Sequence, residues 1–136
     1  MTREHIRRRK IAYLWHLQTG RCAITGQDLD RFHVQDRWYA QLHRCIHNTV
    51  PNRARFPLFI HSVWNLRLVH AGEHGTFPTP KGIPHRVAAK VEIHLQENPE
   101  ISALVNMETD AEINVEEVAA LFDDLLDEVW PERQTA

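Results

Sequence analysis

Apolar residues recur along the chain in patterns that alternate between a helical period and a strand period, with polar or proline-rich stretches between them. From Arg3 to Gln18, the residues Ile6, Ile11, Leu14, Trp15 and Leu17 predict a helix, and Gly20 supplies its stop. Arg21 to Gly26 reads as a short segment with a turn at Thr25-Gly26, followed by a polar stretch from Gln27 to Asp36. Trp38 to Ile46 mixes apolar and polar positions in rough alternation and predicts a half-buried strand; if it stays extended, His43, Cys45 and His47 share one face. Thr49 to Arg55 reads as a loop, with Pro51 and Asn52 as turn residues and Arg53 and Arg55 exposed. Pro57 to Ile60 is an apolar plug that leads through Ser62-Val-Trp-Asn65 into a second strand, Leu66 to Val69.

After that strand, His70 to Gly75 is short and polar enough to begin a helix or a turn, and Phe77 to Pro84, with three prolines and a glycine, is a connector. Arg86 to Asn98 predicts a helix with Val87, Val91 and Leu95 on one stripe, ending before Pro99. The last helix starts at Asn114, a good cap, carries Glu116 and Glu117 at its positive N-terminal end, and presents Val118, Leu121, Phe122, Leu125 and Val129 as an apolar face up to Pro131. The expected architecture is α+β, with two strands between helices and two helices added at the C-terminus.

Composition changes this picture in one respect. The chain of 136 residues has a net charge of only -2, which by itself gives no bias toward nucleic acid. The charge is unevenly spread, however: Met1 to Lys90 holds fifteen Lys/Arg against five Asp/Glu, whereas Val91 to Ala136 holds one Arg against thirteen acids. A basic body of this kind can hold a phosphate backbone by counterion release. The acidic end can fold back on that body, act as a solvated face, or meet a basic protein partner. The Arg7-Arg8-Arg9-Lys10 cluster on the first helix reads equally well as a phosphate contact and as a solvated face.

Two cysteines, Cys22 and Cys45, are too few for a disulfide framework or a thiolate zinc knuckle. No apolar run approaches a membrane span, and the basic start is not followed by a signal-peptide core, so a cytoplasmic protein with no membrane partner is expected. The chemistry concentrates in the ten histidines, densest between His43 and His74. Taken singly, His5, His16, His33, His61, His85 and His94 read as ordinary core or surface residues.

Four blocks in order carry a resemblance: Gln41-Leu-His-Arg44, Asn48-Thr-Val-Pro-Asn-Arg53, Phe56-Pro-Leu-Phe-Ile-His-Ser-Val-Trp-Asn-Leu66 and Val69-His-Ala-Gly-Glu-His74. Together they resemble the HNH endonucleases, whose core is a ββα-metal fold, over roughly Cys22 to Phe77. With the helices read from the apolar pattern on either side, the chain divides into a basic N-terminal helix over residues 1–21, the HNH-like core that the resemblance implies over 22–80, and a helical extension over 81–136. The resemblance further implies hydrolysis of DNA phosphodiester bonds, with His43 and His74 as ligands of one divalent metal ion and Asn65 as an organiser that bridges backbone across the loop after the first strand. Imidazole ligands make Ni, Zn or Mn as acceptable as Mg. A structural zinc is not expected, because Cys22 is followed by Thr25 and Gly26 rather than by a second cysteine. Such small proteins are common in phages and mobile elements.

Arg44 departs from the pattern, since the family has there the histidine that accepts a proton from the attacking water, and arginine stays charged. Three readings follow. Arg44 clamps the phosphate while His47 takes the proton; the fold binds without cutting; or the chain is an inactive variant of an active nuclease. Arg53, Arg55 and Arg67 are the expected phosphate contacts.

Overall fold

The computed structural model describes residues 1–29, 40–70 and 82–135. Helix α1 spans Arg3–Leu17, capped by the Thr2 hydroxyl, which accepts from the His5 N–H at 3.1 Å. It buries Tyr13 and Leu14. The turn that ends it passes through Gly20 at φ +70°, where a Cβ would lie 2.9 Å from the Trp15 ring, so glycine is needed both for the left-handed backbone and for the close approach. The chain then doubles back around the Thr25-Gly26 turn, and Arg21 and Asp28 form an isolated antiparallel bridge.

Strands β1 (Ala40–Arg44) and β2 (Leu66–His70) pair antiparallel, in a register that runs from Ala40 opposite His70 to Arg44 opposite Leu66. The strand read over Trp38 to Ile46 therefore ends at Arg44, two residues early, and Trp38 lies outside the described residues. The outer edge of β2 is not left open. The Gln18 side chain pairs with Leu68 like a strand neighbour, its Oε1 accepting from the Leu68 N–H and its Nε2 donating to the Leu68 carbonyl, both at 2.8 Å. The Ala23 N–H donates to the same carbonyl at 3.0 Å.

Between the strands, the loop expected over Thr49 to Arg55 is instead a helix, α2 (Val50–Arg55). The Thr49 hydroxyl accepts from the Asn52 N–H, and Pro51 sits in the first turn, where a missing N–H costs nothing. Proline and asparagine read as turn residues were in fact helix-start residues. Phe56, Phe59 and Ile60 follow as fully buried side chains, each contributing roughly 2–3 kcal/mol of apolar burial. A single 3-10 turn (Val63–Asn65) then delivers the chain into β2.

The C-terminal part holds three α-helices rather than the two expected: α3 (His85–Glu97), α4 (Pro99–Val105) and α5 (Val115–Val129). Pro99 stops α3 as anticipated, but it also opens α4, because proline at a first helical position fits its fixed φ. Glu92 of α3 is buried and accepts from the Leu58 and Phe59 N–H groups, both at 2.9 Å, tying α3 to the turn before β2. Asn106 reinforces this from α4, donating to the Leu58 carbonyl at 3.1 Å.

Helix α5 starts at Asn114, whose Oδ1 accepts from the Glu117 N–H at 3.0 Å, and it folds back onto α1 and α3. Val118, Leu125 and Leu126 enter the core, and the Phe122 ring stacks on Trp64 with 4.7 Å between centroids. The acidic end thus closes on the basic body through pairs such as His16–Glu116 and Arg86–Glu132, both at 2.7 Å. Among the described residues the fold is mixed, five α-helices and a two-stranded antiparallel sheet, consistent with α+β. The short element expected after β2, with His74, lies outside the described residues, as does most of the proline-rich connector. Among the described residues no helix is long and apolar enough to cross a membrane.

Candidate functional site

Asn65 ends the 3-10 turn with 1% of its surface exposed, at the point where the apolar plug meets β2. Its carboxamide is fully engaged by backbone. Oδ1 accepts from the Ile46 N–H at 2.8 Å, and Nδ2 donates to the carbonyls of Ile46 at 3.1 Å and Ile60 at 2.9 Å. The Cys45 N–H adds a bond to the Asn65 carbonyl at 2.9 Å. One amide therefore ties together the segment leaving β1, the plug and the start of β2, in a site where an unmade bond would be costly.

Just ahead of that clamp stands His43, on β1 opposite Arg67 of β2 and 4% exposed. His47 lies beyond the strand end and is exposed, so the condition of an unbroken strand is not met. The chain nevertheless curls so that the two imidazoles meet edge to face, with 6.1 Å between centroids. Imidazole nitrogens are suitable donors for a transition metal or zinc. Among the described residues no group of three His, Cys, Asp or Glu converges as a metal site. His74, the other expected ligand, lies outside them. Leu42, His43, Arg44, His47 and Asn48 together line a surface depression.

Arg44 is half-buried, and its Nη2 donates to His61 Nδ1 at 3.3 Å. An arginine can only donate, so this bond requires Nδ1 to be the acceptor and leaves the ring proton of neutral His61 on Nε2. Lys10 of α1 reaches the same residue, donating from Nζ to the His61 carbonyl at 2.7 Å. Burial holds His61 below its ordinary imidazole range, and the charges of Arg44, Lys10 and Arg53 push it in the same direction. Burial likewise lowers Arg44, and Lys10 is lowered by burial and then by Arg44, against a smaller opposing pull from Glu108.

The arginines expected at a phosphate are not gathered in one place. On α2, Arg53 donates to the backbone carbonyl and side-chain oxygen of Asn48, at 3.1 and 3.0 Å, and Arg55 stacks over Phe56 while donating to His85 Nδ1 at 3.4 Å. Arg67 turns elsewhere. It donates to the Leu66 carbonyl at 2.8 Å and lines the cavity between α1 and α5 with Tyr13, Phe122 and Asp123. On α1, Arg8 pairs with Glu4 at 3.2 Å, and Arg9 caps the carbonyls of Met107, Thr109 and Ala111. The basic run is thus partly internal, because Arg9 staples α1 to the loop before α5 and Lys10 holds the turn at His61.

His61 is the residue of this region that the sequence pattern did not single out, whereas Lys10 stood out as part of the basic cluster on the first helix. The available signal was slight: His61 is the one ionisable position inside the apolar stretch from Phe56 to Leu66. No protein-family model matches the chain, and neither a curated protein nor a solved structure matches it significantly.

Proposed function

We propose that this chain is a metal-dependent endonuclease of the HNH kind that hydrolyses DNA phosphodiester bonds. The observation that supports this most is the Asn65 clamp, a buried carboxamide spent entirely on backbone, which holds the chain between His43 and His47 in one conformation. A side chain so used is a positioning device, and what it positions is a pair of facing imidazoles beside a depression that Arg44 also lines.

In this reading His43 and His74 hold one divalent ion, with Mg, Mn, Ni or Zn as candidates, and when bound the ion neutralises charge developing on the scissile phosphate and the leaving oxygen. His47, exposed and next to His43, takes the proton from the attacking water. Neither Arg44 nor His61 serves there: the guanidinium keeps its charge, and His61 has Nδ1 occupied and Nε2 protonated. Arg53, which holds Asn48 at the edge of the depression, and Arg55 meet the phosphate backbone.

The test is nicking of supercoiled plasmid at low salt with each of these metals. Activity that a chelator stops and that His43→Ala and His74→Ala abolish is the expected result. Absence of cleavage with every metal refutes the proposal. The commitment of Arg44 to His61 favours a second reading, an HNH-fold subunit that binds nucleic acid without cutting it. Arg44→His separates the two, since gain of cleavage marks a defunct site and loss marks a working one. Docking of the acidic α5 on a basic protein partner is a weaker alternative, because the apolar side of α5 is already used in the core.

A further inference from the structure

We infer that Lys10, Arg44 and His61 form an oxyanion subsite that takes a phosphate group, distinct from the metal-dependent centre at His43 and suited to a phosphate flanking the cleaved one. Its assignment to the DNA backbone rests on the nuclease reading, but the phosphate chemistry does not.

Three independent elements converge here. Lys10 comes from α1, Arg44 from the end of β1, and His61 from the turn between the apolar plug and the 3-10 turn, with Arg53 of α2 close enough to act on His61 electrostatically. Two half-buried cations held on one residue, Arg44 on its imidazole and Lys10 on its backbone carbonyl, make an arrangement that folding alone does not favour. Like charges in partly desolvated surroundings destabilise one another, and among the described residues the acid that acts on Lys10 is the exposed Glu108.

A tetrahedral oxyanion answers each of these features. It offers acceptors to the Nη protons that Arg44 does not spend on His61, to the ammonium protons that Lys10 does not spend on the His61 carbonyl, and to the Nε2–H of His61, whose tautomer is set by Arg44. It also supplies the negative charge that the cluster lacks. Arginine at position 44, anomalous as a proton acceptor, is the suitable residue for gripping a phosphate. His61 acts there as a neutral donor and as the rest against which the guanidinium is aligned.

The experiment uses the full chain in the presence of a chelator, so that no cleavage occurs. The imidazole resonances of His61 are followed by NMR while a short duplex DNA, and separately inorganic phosphate, is added at low salt. DNA is expected to shift His61 at lower concentration than phosphate. In parallel, Lys10→Met and Arg44→Met, each confirmed as folded by circular dichroism, are expected to weaken DNA binding by roughly threefold to tenfold and to reduce the slope of log affinity against log salt by about 0.9 each. A response to phosphate with none to DNA keeps the oxyanion site and assigns it to a free phosphate compound. No response of His61 to either ligand overturns the inference, as does DNA binding whose strength and salt slope in both variants are those of the wild type. These readings do not depend on whether the variants fold, because the wild-type titration stands alone. Binding that behaves as expected in a protein that never cleaves refutes the nuclease proposal and leaves the subsite standing.

Discussion

Replacing Asn65 by alanine removes one acceptor and two donated bonds at a position with 1% exposure. The Ile46 N–H loses its partner at 2.8 Å, and the Ile46 and Ile60 carbonyls lose theirs at 3.1 and 2.9 Å. An orphaned buried donor costs about 1–3 kcal/mol, carbonyls suffer less, and the three losses are not additive, which gives an expected destabilisation of about 3–5 kcal/mol. For a chain of this size that is a drop in melting temperature of roughly 10–20 °C. Urea unfolding of wild type and Asn65→Ala at neutral pH gives the difference directly. Asn65→Asp sharpens the test: the carboxylate keeps the acceptor for Ile46 N–H but turns an oxygen toward two carbonyl oxygens, so it is expected to be no better than alanine. If Asn65→Ala unfolds within about 1 kcal/mol of wild type, the amide is not the clamp described and the argument that it positions His43 and His47 loses its basis.

Two further outcomes follow from buried polar groups. Burial pushes the Tyr13 phenol up to about 12, with Arg67 opposing and Glu116 and Asp123 adding to the rise. Since the folded state favours the neutral form, its contribution is intact below the ordinary value of 10.0 and is lost as pH rises from there to about 12. Tyr13→Phe should therefore lose less stability than wild type over that range, and should cost little at neutral pH because the hydroxyl has no hydrogen-bond partner among the described residues. Parallel urea curves showing the same alkaline loss in both proteins would contradict this. Glu92→Ala should destabilise by about 2–4 kcal/mol, since it strands the Leu58 and Phe59 N–H groups, whereas Glu92→Gln keeps one acceptor oxygen for both and should cost less than half as much; equal losses in the two variants would show that charge, not acceptance, matters at this site.

Helix α1, the turn at Thr25-Gly26, β2, α3 and α5 were readable because each carries a local signal: a period, a cap at Asn114, a stop at Gly20 or Pro99. The readings that changed did so where one residue type serves two local roles. Pro51 and Pro99 suit a turn and a first helical turn equally, so α2 read as a loop and α4 was not read at all. Asn65 and His43 stood out through their place in a family pattern, whereas His61 had only its polarity in an apolar stretch.

By itself, the sequence determined which segments could bury an apolar face and where the charge lies, since both depend on spacing and composition alone. Tertiary structure decided which charges are used inside the fold. Arg9, Lys10 and Arg44 are spent on carbonyls and an imidazole far along the chain, and α5 lies against the basic body, because a hydrogen bond or an ion pair depends on distance in space that no local pattern encodes.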